Sequence, residues 1–110
     1  MAPRNKFTRE EMTEAALRVV RRSGIAALTA KALASELGTS TQPVFTCFGT
    51  MDSLKGEVIS AAEEIFERYV RKGLSERIPF LGYGMQYIAF AAVEPELYRL
   101  LFLSPDERSA

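Results

Sequence analysis

The stretch Gly38-Thr39-Ser40-Thr41-Gln42-Pro43-Val44-Phe45-Thr46-Cys47-Phe48 opens with turn residues and hydroxyls, meets a proline, and then alternates apolar with polar positions. Taken alone it has the look of a loop or a broken strand. It follows directly on KALASELG (31–38), however, which has the composition of a helix closed by glycine. With Ser40 as N-cap, Thr41, Gln42 and Pro43 fill the first turn of a further helix, where amides have no intrahelical acceptor and the N–H that proline lacks is not missed. Val44 and Phe48 then share the inward face, four residues apart, and Thr41, Gln42, Phe45 and Thr46 fall on or near the outward one. The expected unit is helix, glycine-containing turn of about three residues, helix.

The pattern extends in both directions. Thr8 and Glu11 match a capping box, and Met12, Ala15, Ala16, Val19 and Val20 follow at the spacing of one apolar helical face. Arg21, Arg22 and Gly24 close that helix with cations and a C-terminal glycine. Ile25 to Leu28 is a short apolar connection, after which Thr29 caps a second helix with Ala30, Leu33, Ala34 and Leu37 as its apolar positions. At about two turns this helix depends on its neighbours for stability. Thr50 and Asp52 suit the start of a longer fourth helix carrying Leu54, Val58, Ala61, Ala62, Ile65, Phe66, Tyr69 and Val70, with Gly73 at its end. Ile78 to Val93 is apolar nearly all round, the pattern of a buried element, and a further apolar helix runs from Leu97 to Leu103. The fold class expected is all-α, with helices at about 8–23, 30–37 and 41–48 forming a module over residues 1–50 and a helical second part over 51–110.

Composition sets outer limits. The chain has 110 residues, 47% apolar and 10% aromatic, which suits a compact fold with a modest core. Acids and bases balance at 14 each, but residues 1–50 carry seven bases against four acids and residues 51–110 seven against ten. A basic front is thus joined to an acidic back. Cys47 is the single cysteine and there is no histidine, so a disulfide framework and a cysteine–histidine metal cluster are both absent, and the cytoplasm is the natural compartment. The opening MAPRNKFTREE lacks a signal-peptide core. Nucleophile–base pairs and paired carboxylates are not visible, which argues against an enzyme, and no cofactor is implied.

A helix that lies in the DNA major groove reads base edges with its N-terminal residues, and short side chains that both donate and accept serve that task. Thr41, Gln42 and Thr46 fit it, and Gln42 can pair bidentately with adenine. Amides around Ser40 and Thr41 are available to a phosphate, as are Thr29 and Lys31 at the start of the preceding helix. The same residue types also serve an ordinary solvated helix start.

The run from Phe7 to about Ser60, centred on AALRVVRRSGIAALTAKALASELGTSTQPVFTCFGTMDSLK, resembles the DNA-binding domain of the TetR family of bacterial transcriptional regulators. The resemblance implies a three-helix module with a helix-turn-helix, followed by a helical ligand domain. It places a capping threonine at Thr29, a groove-edge cation at Lys31, base-reading positions at Thr41, Gln42 and Thr46, and an aromatic pair at Phe45 and Phe48. Cys47 lies on the same helix and completes the candidate set. Repression is the activity implied, by a homodimer on a pseudo-palindromic duplex operator, relieved when a small apolar effector changes the dimer geometry. The family often has tyrosine at Phe45, histidine at Cys47 and lysine at Met51; their replacement removes phosphate contacts and implies weaker or less salt-dependent binding.

Glu94 to Phe102 resembles a segment midway through the family's ligand domain, so that domain is expected to begin here without finishing. Tyr83, Gln86, Tyr87, Phe90, Tyr98 and Phe102 are candidates for an effector cavity, against ordinary core packing or an exposed patch for a partner or second copy. Cys47 reads either as a redox-sensitive position or as an inert small residue. The competing function is a truncated helical interaction protein that binds a protein partner and no longer reads DNA.

Overall fold

The computed structural model describes residues 7–103; Arg4 and Lys6 of the basic front and the SPDERSA end (104–110) lie outside the described residues. Among these residues there are six α-helices and no strand: α1 (Arg9–Ser23), α2 (Ala30–Leu37), α3 (Gln42–Phe48), α4 (Met51–Leu74), α5 (Pro79–Val93) and α6 (Pro95–Tyr98). A 3₁₀ turn, Ile25–Ala27, links α1 to α2, and α6 runs on into a wide π-type turn, Arg99–Leu103. None of the described helices is both long and apolar enough to cross a membrane. The chain divides into two compact units, Met1–Val58 and Ile59–Ala110.

Local chemistry sets the helix ends of the first unit. Thr8 Oγ1 accepts from the Glu11 amide at 3.0 Å while the Thr8 amide donates to Glu11 Oε1 at 2.9 Å, so the capping box is formed in both directions. Gly24 takes φ +89° at the end of α1, and its amide donates to the Val20 carbonyl. Thr29 Oγ1 accepts from the Ala32 amide at 3.0 Å to start α2. Gly38 ends α2 in the left-handed region, φ +75° and ψ +35°, where its N–H reaches back to the α2 carbonyls.

One cap differs from expectation. The N-cap of α3 is Thr41, not Ser40, and its side chain makes no capping hydrogen bond. Thr41 has already turned into the right-handed helical region, with its carbonyl accepting from the Phe45 amide at 3.2 Å. Its hydroxyl therefore lacks the extended geometry that capping uses. The turn from α2 to α3 is accordingly one residue longer than the sequence suggested.

The core of the first unit follows the helical periodicity. Met12, Ala15, Ala16, Val19 and Val20 are buried, and Leu17 joins them, so the apolar stripe of α1 is wider than its strict spacing indicated. Leu28, Leu33, Ala34, Val44, Phe48, Leu54 and Val58 complete it. Burial of a side chain such as Val44 or Phe48 contributes about 1.5–3 kcal/mol, enough to hold a helix as short as α3, which would not persist alone.

The second unit is built differently. Residues 59–74 of α4 contribute Ala62 and Ile65 to its core, joined by Phe90 of α5 and by Leu97, Leu100 and Leu101 from the end of the described chain. Around Phe90 the rings of Phe66, Tyr69, Tyr87, Tyr98 and Phe102 meet mostly edge to face, with centroids 5.1 Å apart for Phe66–Phe90 and 5.4 Å for Tyr69–Phe90. The fourth helix continues one residue past Gly73. Gly73 instead marks a crossing: Gly73 and Gly82 place the backbones of α4 and α5 so close that a Cβ on either would overlap the other helix. The expectation of a buried α5 is corrected: among its residues only Gly82 and Phe90 are buried, and Phe80, Leu81, Met85, Ile88 and Val93 are exposed. Hydropathy expresses the cost of leaving these side chains in water; it does not supply a neighbour to cover them.

Candidate nucleic-acid interface

Helix α3 is amphipathic across a sharp division. Val44 and Phe48 are buried, whereas Gln42, Phe45 and Thr46 are exposed on the other side, Phe45 at 44% despite its large ring. Gln42 Nε2 donates to Thr46 Oγ1 at 3.3 Å, an i, i+4 pair that holds the amide along the helix surface. Ser40 is exposed in the turn before α3, and Thr41 is half-buried at its start. The face thus brings hydroxyl, amide and aromatic chemistry together over one and a half turns, and no carboxylate occurs between Leu37 and Met51.

The other candidates occupy different places. Thr29 and Lys31 are exposed at the start of α2. The Thr29 oxygen is engaged in capping, which leaves its O–H free to donate outward. Cys47 is half-buried, with Sγ 3.9 Å from Arg9 Nη1. It belongs to the flank of α3 that faces α1, apart from the Gln42–Thr46 pair.

That flank contains a residue whose role the sequence did not reveal. Arg9, at the first position of α1, donates from Nη1 to the Cys47 carbonyl at 3.0 Å and from Nη2 to Glu57 Oε2 at 2.9 Å. Its guanidinium carbon also lies 4.7 Å from the centre of the Phe48 ring. One cation therefore joins α1, α3 and α4 and sits at the C-terminal end of the α3 dipole. The hydrogen bond to Glu57 raises the Arg9 pKa above its already high ordinary value. No local signal announces this arrangement, since its partners are 38 and 48 residues away.

A second ion cluster fixes α1 against α2. Arg18 Nε and Arg22 Nη2 each stand 2.9 Å from a separate oxygen of Glu36. These two hydrogen bonds hold the Glu36 carboxyl below its ordinary pKa. The spacing of Arg18 and Arg22, one turn apart on a single helix edge, is the one sequence signal that anticipates a shared acid. Three arginines of the basic front are thus committed to neighbours within the fold.

The proposed effector residues separate into two groups. Tyr87, Phe90, Tyr98 and Phe102 belong to the aromatic cluster, with Tyr87–Phe102 centroids 5.4 Å apart and Tyr98–Phe102 5.3 Å apart. Hydrogen bonding to Tyr98 raises the Tyr87 phenol above its ordinary pKa. Tyr83 contacts this cluster through Tyr87 and also borders an open apolar groove with Phe80, Leu81, Met85 and Ile88. Gln86 lies on another depression, beside Glu76, Arg77 and Ile78.

Comparison with protein-family models, curated proteins and solved structures finds no match for the chain.

Proposed function

We propose that the first unit is a sequence-specific DNA-binding module whose reading helix is α3, in a transcriptional regulator of the TetR type that the sequence resembles. The observation that carries this reading is the exposed, acid-free Gln42–Phe45–Thr46 face on a helix anchored from behind by Val44, Phe48 and the Arg9 clamp. Gln42 reads adenine through its amide, Thr46 reads a neighbouring base edge or methyl, and Phe45 packs on a thymine methyl. Lys31, the Thr29 hydroxyl and the polar turn through Ser40 and Thr41 set the register on the phosphates.

Such a regulator acts as a repressor by occupying a pseudo-palindromic operator as a homodimer, and a small apolar effector releases it. Release belongs to the second unit, where the phenols of Tyr87 and Tyr98 supply polar handles beside apolar rings. Selection of the 110-residue chain against a random duplex pool tests the proposal. Enrichment of a two-fold related sequence supports it, and an unenriched pool at low and moderate salt counts against it.

The interaction-protein reading is favoured by the uncovered apolar side of α5, a surface that suits a protein partner. Both functions are compatible with the same fold, and the duplex selection separates them.

A further inference from the structure

The acidic back of the chain has one basic corner. Residues 51–110 hold seven bases and ten acids, yet four of those bases, Arg68, Arg71, Lys72 and Arg77, fall between Glu67 and Ile78, with Glu76 as the single acid among them. An excess of three positive charges is thus concentrated where α4 ends and α5 begins, inside a part whose balance is three negative. The dipole at the end of α4 accounts for Arg71 and Lys72 in its last turn, but Arg68 lies before that turn and Arg77 beyond the helix. Arg68, Lys72 and Arg77 make no ion pair among the described residues, and Arg71 reaches Glu67 only at 3.7 Å with both side chains largely exposed.

The same corner presents apolar side chains that its own unit leaves uncovered: Leu74 is 51% exposed, Ile78 57%, Leu81 55% and Phe80, at the tip, 88%. Arg77 borders a depression together with Ile78, Leu81 and Met85, so cation and apolar side chains share one surface. The turn that carries them is held by its own hydrogen bonds. Ser75 Oγ donates to the Lys72 carbonyl at 2.7 Å, the Glu76 amide to the Gly73 carbonyl at 3.1 Å, and the Gly82 amide to the Ile78 carbonyl at 2.8 Å. The close approach of Gly73 and Gly82 fixes the two helix ends side by side.

We infer that the α4–α5 corner docks on an anionic lipid surface, with Ile78, Phe80 and Leu81 entering the boundary between headgroups and acyl chains while the neighbouring cations meet lipid phosphates. Charge complementarity selects this occupant, because cations grouped beside an exposed apolar tip are what anionic bilayers bind. A protein partner needs directional contacts to fix its register, and from Ile78 to Gly84 only Tyr83 has a side chain that donates or accepts a hydrogen bond. A fluid surface needs none. Tyr83, 37% exposed, has the amphipathic ring that suits the headgroup level. Duplex DNA would supply anions but leave Ile78 and Leu81 in water. The docking is peripheral, since the 15 residues of α5 reach only about 22 Å while a bilayer core is about 30 Å thick. It rests on the second unit alone and holds or fails independently of DNA reading.

The test is flotation of the 110-residue chain with vesicles of phosphatidylcholine alone and of phosphatidylcholine with about 30% phosphatidylserine. The expected result is association with the anionic vesicles that weakens as salt rises, and little with the neutral ones. The Lys72→Gln, Arg77→Gln double variant is expected to lose about tenfold or more in partition, and Phe80→Ser about tenfold. All three residues are exposed, so helical circular dichroism is retained. The chain has no tryptophan, and Phe80→Trp therefore adds a single indole, whose emission is expected to shift to shorter wavelength on anionic vesicles and to stay in place with duplex DNA. Absence of flotation with anionic vesicles, equal flotation with neutral ones, or a partition that both variants leave unchanged would overturn the inference. So would an indole that stays in water on the vesicles, or one that is shifted by a duplex or a protein and not by lipid.

Discussion

The guanidinium of Arg9 donates to the backbone carbonyl of Cys47 over 3.0 Å, tying the first turn of α1 to the last turn of α3. The same cation reaches Glu57 and covers the Phe48 ring, so the proposed reading helix is held at its rear by a contact that uses none of its outward residues. Arg9→Ala is expected to lower the melting temperature of the first unit while preserving its helix content. Glu57→Gln is expected to produce part of that loss, and the double variant little more than Arg9→Ala alone, because both changes act on one cluster. Thermal unfolding of the four-member cycle checks the non-additivity; simple additivity would show that the pair is decorative.

The Glu36 carboxylate accepts from Arg18 and Arg22, and its folded pKa lies below the ordinary value of 4.5. The pairing therefore stabilises the fold fully above about pH 4.5 and is lost as pH falls through the depressed folded value. Glu36→Gln is expected to flatten the acid limb of the stability–pH curve, with the gap between variant and wild type narrowing below pH 4.5. Urea midpoints at several pH values measure it. A gap that widens on acidification would contradict the assignment.

At Gly73 and Gly82 an added Cβ would meet backbone atoms of the facing helix, which cannot swing aside as a side chain would. Gly73→Ala and Gly82→Ala are each expected to destabilise the second unit by about 1–3 kcal/mol. Gly56, inside α4, faces open space: apart from its chain neighbours and the local backbone of its own helix, no atom lies within 4 Å of where an alanine methyl would sit. Gly56→Ala is expected to stabilise by roughly 0.5–1 kcal/mol, through helix propensity alone. Denaturant titration of the three variants checks the opposite signs.

What was legible in the sequence was local. Thr8 and Glu11 lie three residues apart, Thr29 caps the helix it precedes, and Gly38 supplies its own left-handed backbone, so each could be read within a single turn of chain. The Ser40–Thr41 boundary was less distinct, because adjacent hydroxyls offer equivalent caps and the geometry of the turn decides between them. Arg9 was legible only as a charge; its partners are brought near by packing. Gly73 read as a helix end because glycine commonly terminates helices, whereas its lack of a side chain serves the approach of α5. The outward position of Gln42, Phe45 and Thr46 was anticipated because Val44 and Phe48 fix the helix face.

Among the described residues of the first unit, Arg9, Arg18 and Arg22 are engaged by Glu57 and Glu36 and are to that extent withdrawn from displacing counterions on DNA. The slope of log K against log salt for duplex binding is expected to be on the order of −4 or shallower, about 0.9 per phosphate neutralised. Lys31→Ala is expected to reduce it by about one and to weaken all duplexes alike. Fluorescence anisotropy at several salt concentrations gives the slope; a value near −10 would require a broader phosphate contact than this charge arrangement provides.

The most direct test of the central claim compares wild type with the Gln42→Ala, Thr46→Ala double variant on the duplex enriched by selection and on its scrambled counterpart. Loss of base-edge contacts worth about 1–3 kcal/mol each predicts at least a tenfold weakening on the enriched duplex and almost none on the scrambled one. Equal affinities of the two proteins for the enriched duplex, or an equal loss on both duplexes, would contradict base reading by α3.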